Sequence, residues 1–425
     1  MSILRITRRA ADRLRAGHLW VYRTDIEGFT GEEPEPGSLA TVTDSRSIPL
    51  GTALYSSSSL IAARLVSRMP ELPREQYLIE LRARLKTSLQ LRRELAPATP
   101  TNNAHRLVFS EADGLPGIVA DRYNDLVLLQ LLTQGTAQDD VREALVETLR
   151  EELQTDHASL TIWERPDPRI RELEQLPAPA PGPLFSSMEE PPVTTTFSLN
   201  GLRFHYDAGA GQKTGAFLDQ RLNYAAAAAH VHASGRTKRA LDVCTYQGGF
   251  ALHLAQVCER VTGVDQSHSA LEAADRNFNL NPHFKAAVDW IEADAFELLR
   301  ALDDARKNPG QVASLPLDAS EPFDAIVLDP PAFAKSKRAA EGALRGYKEL
   351  NLRALHLLTP GGTLITCSCS HHVSLADFTD VVAAAAADAG RRVQLLEIRA
   401  AAPDHPEVLT LPETRYLKCL ICRVD

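Results

Sequence analysis

The sequence has no run approaching the roughly 18 apolar residues of a membrane span, and its basic N-terminus is not followed by the apolar core of a secretory signal. The expectation is a cytoplasmic protein with no membrane partner. No cysteine precedes Cys244. The six present (Cys244, Cys258, Cys367, Cys369, Cys419 and Cys422) are distributed unlike a disulfide framework, so any chemistry they do is that of free thiols. An internal repeat is also missing, which excludes solenoid and collagen-like architectures. A surplus of positive charge is missing too: 46 Lys+Arg stand against 55 Asp+Glu, a net charge of -9. Taken over the whole chain, that balance argues against a nucleic-acid partner.

What is present changes that inference. With 425 residues, 44% of them hydrophobic and 24% charged, the chain has the composition of a globular protein of two to four domains. Nucleic-acid contact needs only a local basic face. Residues 1 to 100 carry 15 Lys+Arg against 11 Asp+Glu, and within the first 23 residues six arginines face Asp12 alone. Arg5, Arg8, Arg9, Arg13 and Arg15 are therefore candidate RNA-binding residues. The competing explanation is the solvated face of an amphipathic helix.

Short apolar runs at Leu19–Tyr22, Leu39–Thr43, Gly51–Tyr55 and Ile61–Val66, punctuated by Gly31, Pro34, Pro36, Gly37 and Pro49, predict a small β-barrel over residues 1–72. Over 73–190 the pattern predicts a compact α+β unit. It contains a helix with Leu81, Leu85 and Leu89 at four-residue spacing, strands around Leu107 and at Gly117–Tyr123 and Leu126–Leu132, a helix at Val141–Leu153 and a strand at Ser159–Trp163. Six prolines between Pro177 and Pro192 predict a linker or surface loop with neither ladder nor helix. Residues 191–425 begin with a hairpin over Thr194–Tyr206. They continue with apolar runs at Ala240–Cys244, Val261–Asp265, Ala325–Asp329 and Thr363–Cys367, each followed by a helical pattern. This predicts an α/β domain with a doubly wound, parallel, Rossmann-like sheet, whose ligands bind at the carboxyl ends of the strands.

At those ends stand the residues that carry chemistry. Asp242-Val243-Cys244 runs into Thr245-Tyr246-Gln247-Gly248-Gly249, a strand-to-helix turn that lets backbone amides approach a ligand. The full dinucleotide motif G-x-G-x-x-G is absent, and an ordinary tight turn is the alternative. Asp265 ends the next strand, suited to accept from ribose hydroxyls, and Asp294-Ala295 ends the third, suited to an adenine edge. Asp329-Pro330-Pro331-Ala332-Phe333 follows the fourth. Its prolines fix a pair of acceptors, and Phe333 offers a stacking surface for a planar base. Glycine turn, ribose acid, Asp and Asp-Pro-Pro, in that order, are the arrangement of S-adenosylmethionine-dependent methyltransferases.

Strand five brings Cys367-Ser368-Cys369-Ser370 beside Asp329. Carbon 5 of cytosine needs a thiolate added at carbon 6 before it can take a methyl group, whereas methylation of an amine needs no cysteine. Either thiol can also be a small buried hydrophobe. Cys419 and Cys422 have C-x-x-C spacing, but on a strand they point to opposite faces, so no metal site is expected.

With these residues assembled, the chain resembles the RlmI-type family of bacterial 23S ribosomal RNA cytosine-5 methyltransferases, nearly end to end. The carriers are Trp20-Val21-Tyr22, Glu111 to Gly117, Gly211-Gln212-Lys213-Thr214-Gly215-Ala216-Phe217-Leu218-Asp219-Gln220-Arg221, Tyr246 to Phe250, Asp329 to Phe333, Gly346-Tyr347-Lys348, Ser368-Cys369-Ser370 and Asp404-His405-Pro406. The resemblance implies an N-terminal PUA domain that binds RNA, a central α+β domain and a C-terminal class I methyltransferase domain. S-adenosyl-L-methionine is the implied cofactor, 23S ribosomal RNA or a large-subunit precursor the implied partner, and a homodimer the implied assembly. It selects Cys369 over Cys367 as nucleophile. Departures are Thr245-Tyr246-Gln247, where the family often has Ser-Tyr-Thr, and the extra thiol Cys367.

The expected site is then Cys369 and Asp329 for catalysis, and Pro330, Pro331 and Phe333 around the base. Phe217, Asp219, Arg221, Asp242, Tyr246, Gly248, Gly249, Asp265, Asp294, Ala295, Asp329 and Pro330 are expected around the cofactor. Phe217, Asp219 and Arg221 are expected to close over cofactor and base, and Asp242 and Tyr246 to position the sulfonium. Rival readings are an RNA amine N-methyltransferase using the same Asp-Pro-Pro, a non-catalytic RNA-binding assembly factor, and a small-molecule methyltransferase.

Overall fold

In the computed structural model, which describes residues 2–154, 159–209, 216–308, 315–334 and 337–425, the chain divides into two compact units. The first comprises Met1–Ser198, Tyr206–Gly215 and Pro403–Thr414; the second comprises Leu199–His205, Ala216–Ala402 and Arg415–Asp425. Residues 211–215 of the Gly-Gln-Lys-Thr-Gly run lie outside the described residues.

The first unit opens with β1 (Ile3–Ile6), α1 (Arg8–Arg15), β2 (Trp20–Tyr22), β3 (Ile26–Thr30), β4 (Leu39–Thr43), β5 (Pro49–Tyr55) and β6 (Ile61–Ser67). The strands form one sheet in the order β2-β6-β5-β4-β1-β3, around a core that includes Leu4, Ile6, Leu14, Val21, Val42 and Leu65. Helix α1 starts where the Thr7 side chain accepts from Ala10 N at 3.3 Å, and it buries Ala10, Ala11 and Leu14. Strand β1 is too short to show a period of its own; its partners β3 and β4 are what make it a strand.

This pairing corrects the charge count of the N-terminal segment. Arg13 binds Asp25 at 2.5 Å, Arg15 binds Asp44 at 2.5 Å and Asp12 at 3.3 Å, Arg5 pairs with Glu27 at 3.7 Å, and Arg8 with Asp12 at 3.9 Å. The sheet brings Asp25 and Asp44 to the helix and Glu27 to Arg5 of β1, so a window along the first 23 residues does not see them. Among the described residues, Arg9 alone of the five has no carboxylate partner.

The unit continues with α2 (Arg74–Leu95), β7 (Ala104–Phe109), β8 (Ile118–Tyr123), β9 (Leu126–Leu131), α3 (Asp139–Leu153), β10 (Thr161–Glu164), α4 (Pro168–Glu174) and β11 (Phe185–Ser186). The strands form a second sheet, β11-β10-β9-β8-β7, and α2 buries Leu81, Leu85 and Leu89 as their spacing predicts. Two of the motifs meet on one buried side chain. Arg92, 1% exposed, grips both oxygens of Asp113 (2.5 and 2.7 Å) and donates to the carbonyl of Asp404 at 2.9 Å. The proline-rich segment is not free of ladder: Phe185 and Ser186 pair with Ile162 and Thr161. Between Pro183 and Pro191 lie seven residues that keep their N–H groups, enough for two rungs on a sheet edge.

A hairpin of β12 (Thr194–Leu199) and β13 (Leu202–Asp207) follows; its turn residues Asn200 and Gly201 have φ of 52° and 84°. The second unit then contains α5 (Arg221–Ser234), β14 (Arg239–Val243), α6 (Gly249–Leu254), β15 (Arg260–Asp265), α7 (His268–Asn279), β16 (Ala287–Glu292) and α8 (Ala295–Lys307). After these come β17 (Phe323–Leu328), α9 (Ala340–Leu357), β18 (Leu358–Ser368), α10 (Leu375–Asp388), β19 (Val393–Arg399) and β20 (Lys418–Val424). Their sheet has the order β16-β15-β14-β17-β18-β20-β19. Strand β17 is buried along its whole length, which explains the apolar run from Ala325 to Leu328.

The expectation of a parallel sheet holds for the direction of every strand but one. Strand β20 enters between β18 and β19 and runs antiparallel to both. Its alternation marked it as a strand, but no local pattern encodes the direction in which a strand is inserted. The order reverses between β14 and β17, and the crevice at such a reversal is where this architecture binds ligands.

Candidate active site

The turn after β14 is strained: Cys244, Tyr246 and Gly248 have φ of 64°, 52° and 83°, and the first two are not glycine. Several contacts hold it. Asp242 Oδ2 accepts from Thr245 Oγ1 at 2.6 Å and from Ala251 N at 2.8 Å. Asp265 accepts from Tyr246 N and Ser267 N, both at 2.9 Å. His253 Nδ1 donates to the Gly249 carbonyl at 2.7 Å, and its Nε2 accepts from Asn200 Nδ2 at 2.9 Å. Burial lowers that imidazole to about 4, so it is neutral, in the tautomer its two partners require. Glycine is needed at 249 because a Cβ there would lie 2.5 Å from the Tyr224 ring.

Above the turn is an open cleft lined by Leu199, Phe204, Ala216, Phe217, Tyr224, Cys244, Thr245, Tyr246, Gln247, Gly249, Phe250 and Asp329. The Phe217 ring lies 5.0 Å from that of Tyr246. Of the expected cofactor residues, Phe217, Tyr246, Gly249 and Asp329 line this cleft. Gly248 turns its Cα toward Trp290 and Leu252, and Asp265 anchors the turn from behind. Asp294 caps α8, its Oδ1 accepting from Phe296 N and Glu297 N, and Ala295 is the first helical residue. Three further expected residues are not among those that line the cleft. Asp219 and Arg221 do not line the cleft with Phe217: Asp219 accepts from Tyr416 OH at 2.5 Å, and Arg221 is buried at the start of α5. Asp242, 0% exposed, lies beneath the turn rather than facing the opening.

Asp242 nevertheless bears on whether these residues fit S-adenosylmethionine. Among the described residues its Oδ1 is buried without a partner, and burial raises the carboxyl to about 7. An acceptor without a donor, under a turn whose glycine backbone leaves room for close approach, suits a ligand that carries an ammonium group and ribose hydroxyls. The residues fit the group.

At the other end of the cleft, Asp329 leaves β17 with its N donating to the Val243 carbonyl at 3.2 Å. Burial, then Asp219 and Asp242, raise its carboxyl to about 8, so it is protonated at neutral pH. Its Oδ1 accepts from Gln220 Nε2 at 3.0 Å. Pro330 is buried and Pro331 exposed. Phe333 is not a free stacking face: its ring packs on Tyr347 at 4.8 Å and Phe296 at 5.7 Å, because α9 and α8 close over the segment. The two thiols differ in access. Cys367 is fully buried in β18, opposite Cys419 of β20. Cys369 is half-buried, its Sγ 3.8 Å from the Pro330 carbonyl, and burial pushes its thiol up to about 12.

Two residues here went unnoticed in the sequence. Gln220 sits inside the Phe-Leu-Asp-Gln-Arg run but has no charge to draw attention. Lys418 is a cation at a buried strand position, a mismatch that the alternation around it could have flagged. Among the described residues no group of three or more His, Cys, Asp or Glu is placed to hold a metal ion, and no helix is long and apolar enough to cross a membrane.

A strained glycine turn at a topological switch point, with an Asp-Pro-Pro segment opposite, defines a class I methyltransferase, and comparison with known proteins agrees. Residues 115–423 match the model of S-adenosylmethionine-dependent methyltransferases, and residues 4–68 that of PUA-like domains. The fold is shared with a S-adenosylmethionine-dependent methyltransferase from Streptococcus mutans (TM-score 0.78, 18% identity, all of both chains covered). It is shared too with a methyltransferase crystallised with S-adenosylhomocysteine (TM-score 0.76, 19% identity, all of both chains). The chain is thus a S-adenosylmethionine-dependent methyltransferase with a PUA-like domain. More particularly, it belongs to the ribosomal RNA large subunit methyltransferase I family. It is 36% identical over 413 residues to the member from Photobacterium profundum, covering 97% of this chain and 96% of that one. It is 34% identical over 408 residues to one from Escherichia coli, covering 96% and 95%.

Proposed function

We propose that this chain methylates carbon 5 of a cytosine in the 23S RNA of the large ribosomal subunit, through a covalent adduct on Cys369. One observation carries the reading: a half-open thiol sits beside the neutral carboxyl of Asp329 at the end of the cofactor cleft, while the neighbouring thiol, Cys367, is sealed. The name shared by the relatives and the PUA-like domain support ribosomal RNA as substrate.

Phe217, Tyr246, Gly248, Gly249, Asp265, Asp294 and Ala295 would hold S-adenosylmethionine, which when bound supplies the electrophilic methyl group that carbon 5 accepts. The target cytosine leaves its stack and enters beside Pro330 and Pro331. Cys369 thiolate adds to carbon 6, and the protonated Asp329 donates to the ring nitrogen, which takes up the displaced electron pair. Once carbon 5 is methylated, its proton passes to a base, the carbon 6–sulfur bond breaks as the ring nitrogen returns its proton to Asp329, and the thiolate is released. We place the RNA-binding domain at residues 1–72, the central domain at 73–190 and the methyltransferase domain at 191–425, in a cytoplasmic homodimer.

The test uses Cys369→Ala and Cys367→Ala with large-subunit ribosomal RNA. Cys369→Ala is expected to abolish methylation while keeping cofactor binding by calorimetry, and Cys367→Ala to retain activity. 5-Fluorocytidine RNA is expected to trap an adduct that requires Cys369. Substantial methylation by Cys369→Ala would point instead to an exocyclic amine as acceptor.

A further inference from the structure

Lys418, the first residue of β20, lies opposite Ser368 in the ladder with β18. It is 5% exposed, and its Nζ donates to the carbonyls of Ser370 at 2.7 Å and Tyr416 at 2.8 Å. Among the described residues it has no carboxylate partner. A buried ammonium without a counter-ion is costly, and two carbonyls occupy only two of its three protons. The ionisable side chain it does interact with is Cys369, the residue just before the carbonyl it grips. Among the described residues, the other titratable groups acting on Cys369 are Asp329 after β17, Asp219 ahead of α5 and Tyr347 on α9, and Lys418 is the cation of that set.

We propose that Lys418 is the counter-ion of the Cys369 thiolate, a positioning residue that fixes the Ser368-Cys369-Ser370 turn through the Ser370 carbonyl and supplies the charge against which the thiolate forms. This deepens, and rests on, the reading of Cys369 as nucleophile. The electrostatics run the same way. Burial lowers Lys418 to about 8, and Lys418 opposes the rise that burial, Asp329 and Asp219 impose on the thiol. The ammonium is present below its own pKa and lost above it, so its help fades where an ordinary thiol begins to ionise.

The experiment follows alkylation of Cys369 by iodoacetamide on the full chain, read by peptide mass spectrometry from about pH 6 to about pH 10. Lys418→Gln keeps N–H donors for both carbonyls but removes the charge; Lys418→Arg keeps the charge. The Gln variant is expected to alkylate about tenfold more slowly near neutral pH, as one pH unit of thiolate fraction dictates, and the Arg variant to recover most of that loss. A folded, cofactor-binding Gln variant that alkylates like wild type would overturn the proposal. If the Gln variant does not fold, the wild-type chain decides. Its alkylation rate is expected to climb less than tenfold per pH unit above about pH 8, where the ammonium is lost; a full tenfold slope would refute the pairing. Methylation surviving in Cys369→Ser would sink the nucleophile reading while leaving the alkylation result standing, so the two failures are distinct.

Discussion

The amide of Gln220 donates to Oδ1 of Asp329 at 3.0 Å and is itself fixed by Asn223, whose Nδ2 donates to Gln220 Oε1 at 2.6 Å while its Oδ1 accepts from Arg399 Nε at 2.8 Å. Every donor in this chain points toward Asp329. The arrangement sets the plane of the carboxyl. Gln220→Leu is expected to lower kcat/KM about tenfold, the worth of one hydrogen bond to a group of this kind, with cofactor affinity unchanged. Gln220 favours the ionised carboxyl, so its loss raises the pKa of Asp329 further, and the alkaline limb of the rate profile moves upward. A limb that moves downward, or does not move, would refute this role.

Gly249→Ala drives a methyl group into the Tyr224 ring, 2.5 Å from the ideal Cβ position. Overpacking of this kind costs about 1–3 kcal/mol. Part of that cost falls on the amides of the cofactor turn. Thermal unfolding is expected to move down and calorimetry to show weaker S-adenosylmethionine binding; unaltered binding would mean that the turn yields elsewhere.

His253 gives the turn a pH dependence of known sign. Its pKa is depressed to about 4 from an ordinary 6.5, so the unfolded chain takes up the proton first as pH falls. The stability it contributes is complete above pH 6.5 and is lost progressively toward pH 4, because a protonated Nε2 cannot accept from Asn200. Cofactor affinity measured across that window is expected to decline with acid in wild type and less so in His253→Gln.

The N-terminal arginines divide into two groups with different expected behaviour. Arg13 donates to the Trp20 carbonyl and Asp25 and stacks 5.0 Å from the Tyr22 ring, so Arg13→Ala is expected to destabilise the domain by about 1–3 kcal/mol. Arg8 and Arg9 are exposed. Replacing both with alanine is expected to leave stability intact and to reduce the slope of log affinity against log salt for ribosomal RNA by about 2. An unchanged slope would assign RNA contact to another surface.

What the sequence made legible was the set of features whose signals are local. The apolar runs of β14, β15, β17 and β18, the Leu81-Leu85-Leu89 face and the Asp-Pro-Pro turn are all written in consecutive residues. What escaped depends on partners far away in the chain. The neutralisation of Arg13 and Arg15 needs Asp25 and Asp44 brought back by the first sheet, and the ladder of Phe185 needs β10 as its template. The antiparallel entry of β20 and the importance of Gln220 and Lys418 exist only once the second sheet is assembled. Asp219 and Arg221 share the Phe-Leu-Asp-Gln-Arg run with Phe217, yet only Phe217 lines the cleft. In the 3-10 turn at Leu218–Gln220 and the start of α5, successive side chains point in different directions.

Strand β20 is translated after β19 yet lies between it and β18. Until it is made, β19 has no neighbour to join and β18 has an open edge, so neither can settle early. The same late segment brings Lys418. On the role proposed for that residue, the thiolate gains its counter-ion only when the final strand closes the sheet. Topology thus makes the positive charge the last part of the site to arrive.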